Sequence, residues 1–224
     1  MNLQNEFRFY PHPEQLASAL ADELARRILM VVRARAVCHI VFPGGRSPYR
    51  VLVKLREIDL PWKSLHLYPS DERCVPPGDE ARNDRLIDEL LLGQVSLPAE
   101  NIHRIPAELG PEEGAFRYSQ LLKQTARFDI ALLGLGPDGH IASLFPNHPA
   151  INDSREAVPV LNAPKPPSSR ISIGMQRLKQ SLNRLVVVLG EDKLHLFNSS
   201  DSLRGTPAAL LQPNVFYIHK AGSK

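Results

Sequence analysis

Apolar residues recur along this chain at two different periods. Between Pro13 and Ala36, Leu16, Leu20, Leu24, Ile28 and Val31 return every three or four positions, which is one face of an amphipathic helix. The segment 37–42 is instead a short continuous apolar run that stops at Pro43-Gly44-Gly45. Such a run reads as a strand buried on both faces that enters a tight turn. Ser47 followed by Pro48 fits an N-cap with proline at the first helical position, so a helix is predicted to about Glu57.

The alternation continues with a strand over 64–68, a helix over 84–92, a short strand over 102–105, a helix over 112–125 and a buried strand over 129–133 that ends in glycines. Strands over 170–173 and 185–189, a helix over 191–198 and a last strand over 215–218 complete the series. Strand and helix alternating in this way predict a single-domain, Rossmann-like α/β fold over residues 1–224, a mostly parallel sheet with helices on both faces. The segment 152–169, rich in Pro, Asn and Ser, reads as a long surface loop. In open parallel sheets ligands bind beyond the carboxyl ends of the strands, which directs attention to the loops after Phe42, Tyr68 and Leu133.

Composition narrows the classes. Of 224 residues, 43% are hydrophobic and 23% charged, far from the disordered range, and the net charge of +3 is spread among both signs with no basic run to track a nucleic acid. The expectation is a local anion site and no nucleic-acid partner. The two cysteines, Cys38 and Cys74, lack the spacing of a zinc site or a disulfide framework and read as thiols in a reducing compartment. Residues 1–13 carry no signal pattern and no apolar run approaches the roughly 20 residues of a membrane span, so a cytoplasmic protein is expected. No leftover apolar stripe is evident, which favours a monomer.

Three loops can carry chemistry. In the first, Gly44 and Gly45 precede a helix N-terminus bearing Ser47, where backbone N–H groups favour an anion, although a Gly-Gly pair serves equally as a plain tight turn. The second, Asp71-Glu72-Arg73-Cys74-Val75-Pro76, is followed by Asp79, Arg82 and Asn83. Arg73 can fork onto a phosphate, and Asp71 can orient a hydroxyl or a cation; a surface ion-pair cluster is the alternative. The third, Gly134-Leu135-Gly136-Pro137-Asp138-Gly139-His140, places a carboxylate and an imidazole just past a buried strand, the arrangement of a general base with its orienting acid. Its glycines match the dinucleotide fingerprint by count, but Pro137, Asp138 and His140 interrupt it in mid-chain, so nicotinamide binding is set aside. His39, His66 and His195 fall inside element patterns, and His148 ranks second to His140. No histidine pair has metal-ligand spacing with a third ligand nearby, so no metal and no cofactor are expected.

Taken in order, these segments resemble the 6-phosphogluconolactonase family. They are the Gly-Gly loop, Asp-Glu-Arg-x-Val-Pro with a later Asp and Asn, Leu-Gly-x-Gly-Pro-Asp-Gly-His-x-Ala-Ser-Leu-Phe-Pro, Lys165-Pro166-Pro167 ahead of Arg170-Ile171-Ser172-Ile173, and Gly190-x-x-Lys193. The chain departs from the family's Ser-Gly-Gly-Ser-Thr-Pro at Pro43, Arg46 and Ser47, and has Arg82 where a serine is common. The resemblance implies a small sugar-phosphate substrate, 6-phosphoglucono-δ-lactone of the oxidative pentose phosphate pathway, opened by water that His140 activates, with Asp138 orienting His140 or shaping the turn. It implies phosphate contacts from Arg73, Arg170 and Lys193, roles for Asp71 and Asn83 on hydroxyls or arginines, and backbone contacts at Gly44, Gly45, Ser47 and Gly136. A δ-lactone is an activated ester, so neither Ser143 nor Cys74 is needed as a nucleophile. The related glucosamine-6-phosphate deaminases continue the histidine segment as Phe-Asn-Glu-Pro, where this chain has Ser143-Leu144-Phe145-Pro146. A non-catalytic sugar-phosphate regulator ranks third, because Asp138 and His140 are both present.

Overall fold

The computed structural model describes residues 5–199 and 201–221. Six parallel strands form the main sheet: β1 (Glu6–Tyr10), β2 (Cys38–Phe42), β3 (Leu65–Pro69), β5 (Ile130–Gly134), β8 (Asn183–Val188) and β9 (Val215–His219), ordered β1-β9-β8-β5-β2-β3. Three short strands, β4 (Asp71–Arg73), β6 (Ala157–Val160) and β7 (Arg170–Ile173), form a second, antiparallel sheet ordered β4-β7-β6.

The continuous apolar runs follow from burial on both faces. In β5, Ile130 and Leu132 enter one core while Ala131 and Leu133 enter the other; in β8, Leu185 and Val187 alternate with Val186 and Val188 in the same way. The first core is closed by α1 (Pro13–Arg35), α2 (Arg46–Arg56) and α3 (Asp84–Leu90) through residues such as Leu20, Leu52 and Ile87. The second is closed by α4 (Pro111–Gln124), α5 (Met175–Lys179) and α6 (Pro207–Leu211) through Tyr118, Leu178 and Leu211, and by the small sheet through Val158, Ile171 and Ile173. Helices therefore cover both faces, as the alternation predicts.

Several expectations change. Residues 6–10, where no element is predicted from sequence, form edge strand β1, and Phe7 and Phe9 stay about half exposed there. The surface loop expected over 152–169 contains β6; its Pro159 lacks an N–H but lies in an edge strand, where that donor is dispensable. Among the described residues, 102–105 make only one bridge, Ile102 to Leu67, with Pro98 and Pro106 close on either side. The helix over 191–198 is a 3-10 helix, Glu191–Phe197. Gly45, not Ser47, is the N-cap of α2.

The chain builds β3 outward from β2 on one side, then β5, β8 and β9 outward on the other. Strand order therefore reverses between β2 and β5, and the loops leaving these neighbours open a crevice at the carboxyl edge of the sheet.

Candidate active site

That crevice holds a cavity of about 220 Å³ lined by residues of all three chemistry-bearing loops. Gly44, Gly45, Asp71, Arg73, Asn83, Gly136, His140, Arg170 and Lys193, far apart in sequence, all reach its wall. Asp138 does not line it but contacts His140, and the side chain of Ser47 lies outside the described residues.

The loop after β5 is shaped around the imidazole. Gly136 N–H donates to the His140 carbonyl at 2.9 Å and Gly139 N–H to the Gly136 carbonyl at 3.0 Å, closing a tight turn. A Cβ on Gly136 would come within 2.0 Å of the His140 ring, so a side chain there is excluded by the imidazole itself. Gly139 has φ of 80°, and its added Cβ would strike Thr206, so glycine is required there on two counts. His140 Nδ1 is hydrogen-bonded to Asp138 Oδ1, and the ring packs against Phe145 with centroids 4.6 Å apart. Burial pushes the His140 pKa down; the hydrogen bond and charge of Asp138 pull it back only in part, so it lies below the ordinary 6.5. Burial is the largest influence on Asp138 and acts to raise it, but the hydrogen bond and charge of His140 together with backbone hydrogen bonds outweigh it and hold the carboxyl below its usual range. At neutral pH the pair is an uncharged imidazole on a carboxylate, with Nδ1 engaged and Nε2 making no hydrogen bond among the described residues.

The small sheet supplies the charge. Side chains alternate along β4, so Asp71 and Arg73 share one face and Glu72 takes the other. The antiparallel register sets Arg73 directly opposite Arg170, and Asp71 opposite Ser172. Two like charges facing across a ladder repel; burial lowers the Arg170 pKa and Arg73 lowers it further. Carbonyl oxygens hold the guanidinium groups in place: Arg170 donates to Pro167 at 2.9 Å and to Lys165 at 2.8 Å, and Arg73 Nη1 to Ala81 at 2.5 Å. Arg73 Nε is buried without a hydrogen-bond partner among the described residues. Lys193, whose ammonium donates to the Leu189 carbonyl at 2.6 Å, adds a third cation, its pKa lowered by burial. Lys165 is exposed, yet its charge lowers both His140 and Lys193.

Asp71 is buried and accepts from Ser70 and Ser143 hydroxyls, each at 2.6 Å, while Arg170 Nη1 lies 3.4 Å from Ser143 Oγ. Ser143 is therefore a bridge between Asp71 and Arg170, a role its position two residues after Ile141 does not advertise. Asn83 donates to the Asp71 carbonyl at 3.0 Å and packs on Gly44, where a Cβ would lie 2.0 Å from its Cγ. Arg82 neither points to solvent nor reaches the cavity of His140: its side chain is buried, paired with Asp84 at 2.7 Å and Glu108 at 3.3 Å. A larger cleft of about 800 Å³ adjoins the cavity, sharing Gly45, Arg73 and Asn83 with it. His148 lies elsewhere, its Nδ1 accepting from Ala150 N–H and its Nε2 bonded to the Leu161 carbonyl. Among the described residues no cluster of three or more His, Cys, Asp or Glu is arranged to hold a metal.

Comparison with known proteins shows the family. Residues 11–218 fit the family model described as glucosamine-6-phosphate isomerases/6-phosphogluconolactonase. The 6-phosphogluconolactonase of Mycobacterium leprae is 35% identical over 209 residues, covering 87% of this chain and 84% of that protein. That of Thermotoga maritima is 34% identical over 190 residues, 84% of each. A crystal structure of 6-phosphogluconolactonase from Thermotoga maritima superposes with a TM-score of 0.89 at 25% identity over the structural alignment, covering 97% of this chain and all of the other, and the Shewanella baltica structure with 0.83 at 26% identity, covering 96% and 97%. With a family model matched over residues 11–218 and a relative 35% identical over most of both chains, this chain belongs to the glucosamine-6-phosphate isomerase/6-phosphogluconolactonase family.

Proposed function

We propose that this chain hydrolyses 6-phospho-D-glucono-1,5-lactone to 6-phospho-D-gluconate, the lactonase step of the oxidative pentose phosphate pathway, with His140 as general base. The observation that carries the reading is one cavity in which a neutral, carboxylate-held imidazole shares a wall with two opposed arginines and a lysine. A phosphate dianion between Arg73 and Arg170 relieves their repulsion and accepts charge-assisted bonds from the guanidinium groups that line the cavity. Lys193 completes the anion site. Asp71 and Asn83 keep the guanidinium groups and the glycine loop in register, and in this reading they meet sugar hydroxyls.

His140 Nε2 takes a proton from water as the oxygen bonds to C1, giving a tetrahedral oxyanion. The C1–O bond to the ring oxygen then breaks, and the imidazolium returns its proton to that oxygen, leaving a carboxylic acid and a free hydroxyl. Asp138 fixes the tautomer that leaves Nε2 basic. General-base assistance of this kind contributes typically ~10² to 10⁴ in rate. The N-terminus of α2, capped by no side chain and bordered by Gly44 and Gly45, stabilises negative charge at the same cavity.

Phe145 argues against ring-opening deamination. It occupies the position of the glutamate in the deaminases' Phe-Asn-Glu-Pro segment and lies against the His140 ring, where it can neither accept a proton nor hold an imidazolium. The test is hydrolysis of freshly generated lactone coupled to 6-phosphogluconate dehydrogenase and corrected for spontaneous opening. Acceleration by the wild type that is lost in His140→Asn supports both substrate and base. A folded wild type that leaves the spontaneous rate unchanged, or one that releases ammonia from glucosamine 6-phosphate, overturns the reading.

A further inference from the structure

Arg73 and Asn83 stand at opposite ends of an irregular loop, between β4 and the start of α3, yet both border the same cavity. What joins them is a single buried carboxylate. Glu72, on the face of β4 opposite to Asp71 and Arg73, accepts from the backbone N–H of Arg73 at 2.8 Å and of Asn83 at 2.7 Å on one oxygen. Its other oxygen accepts from Asp84 N–H at 2.8 Å, and Arg82 Nε lies 3.7 Å from it. Glu72 is 1% exposed and stands behind the wall of the cavity, lining neither it nor the adjoining cleft. From this anchor Asn83 reaches forward to the Asp71 carbonyl and closes on Gly44, so the carboxylate links β4, the start of α3 and the glycine loop.

We infer that Glu72 is a positioning residue of the anion site: by gripping the backbone of Arg73 and Asn83 together it sets where guanidinium and carboxamide meet a phosphate-bearing ligand. The identity of that ligand rests on the hydrolase reading above; the grip itself rests on the hydrogen bonds. The site needs a carboxylate because three N–H donors and a guanidinium surround it and every one requires an acceptor. An amide of the same shape offers one accepting oxygen and one donating NH₂, so whichever way it is turned at least one N–H is left facing a donor.

The variant Glu72→Gln tests this in two assays on the whole chain, lactone kinetics and direct binding of inorganic phosphate followed by calorimetry. The expected result is that KM and the phosphate Kd rise together by about tenfold, the scale of one lost hydrogen bond to a charged group, while kcat stays within about twofold. An unchanged KM and phosphate Kd, or a kcat that falls while KM holds, overturns the inference. If the wild type opens no lactone but binds phosphate more tightly than the variant, the hydrolase reading fails and the positioning role stands; a wild type that binds no phosphate ends both. Should Glu72→Gln fail to fold by circular dichroism, Glu72→Asp replaces it. That variant keeps the charge but is one methylene too short to meet all three donors, and an unchanged KM there overturns the inference equally.

Discussion

The parallel sheet brings backbone and one imidazole to the cavity through glycine turns, whereas the antiparallel sheet brings guanidinium groups straight from its strands. The difference is mechanical. A strand residue such as Arg73 or Arg170 is located by its ladder, and the register alone sets one charge opposite the other. His140 sits on a turn whose shape depends on two glycines having no side chain, so its placement is adjustable and more fragile. Binding is thus built on the rigid element and proton transfer on the shaped one, and substitutions in the two regions should fail in different ways.

The largest expected effect is at His140. Replacing it with asparagine keeps a polar group of similar reach but no base near neutral pH, so kcat should fall by roughly 10² to 10⁴ while KM changes little. Steady-state kinetics on the lactone decide it; a tenfold rise in KM with kcat preserved would move His140 from chemistry to binding. The arginine pair should do the reverse. Arg73→Ala or Arg170→Ala removes charge-assisted bonds of about 1.5–3 kcal/mol each, so KM should rise by roughly 10- to 100-fold, and Arg73→Lys should restore only part because a point charge replaces a fork. Arginine variants whose KM matches wild type would separate the small sheet from phosphate recognition altogether.

Gly136→Ala sharpens the comparison within one loop. The new methyl must displace the imidazole, and a misplacement of about 1 Å can cost ~10² in rate. Phosphate binding, fixed by the other sheet, should hold. Loss of phosphate affinity in this variant would show that the two regions are not independent.

How far the sequence already contained this arrangement differs between the same two regions. The parallel sheet is legible because strands buried on both faces read as apolar runs, and the Asp138–His140 segment is compact enough to be recognised whole. The small sheet is not: β4 has three residues, β6 contains Pro159, and β7 gives no sign that its partner lies across the chain at Asp71. Arg73 and Arg170 are each identifiable as cations, but their opposition is a property of register, which local pattern does not encode. Glu72 was hidden by its neighbours, since Asp-Glu-Arg reads as an exposed charged triplet; the period of two in a strand is the signal that separates it from Asp71 and Arg73. Ser143 reads in sequence only as a candidate nucleophile, and its bridging role depends on Asp71 and Arg170 arriving from elsewhere.

The smallest predicted effect concerns the scaffold rather than the site. His39, His66 and His103 stack along β2, β3 and the bridge beside them: His66 Nδ1 lies 2.9 Å from His103 Nε2, His39 Nδ1 lies 3.0 Å from the Tyr68 hydroxyl, and His103 stacks on Tyr68 at 4.3 Å. Burial pushes His39 and His103 down to about 4, and the neighbouring imidazoles push the same way. Between pH 6.5 and about 4 the unfolded chain therefore binds protons that the folded chain refuses, so their contribution to stability is intact above 6.5 and is lost as pH falls through that window. Glu72 acts oppositely, since burial pushes it up against the pull of its three backbone N–H donors, but it is common to wild type and variant and cancels in a difference. Thermal melts at a series of pH values should show Tm falling more steeply with acid in the wild type than in His103→Gln, by a few degrees across the window. Parallel curves would mean that the imidazole stack titrates as solvent-exposed histidines do, and that acid sensitivity belongs to other groups.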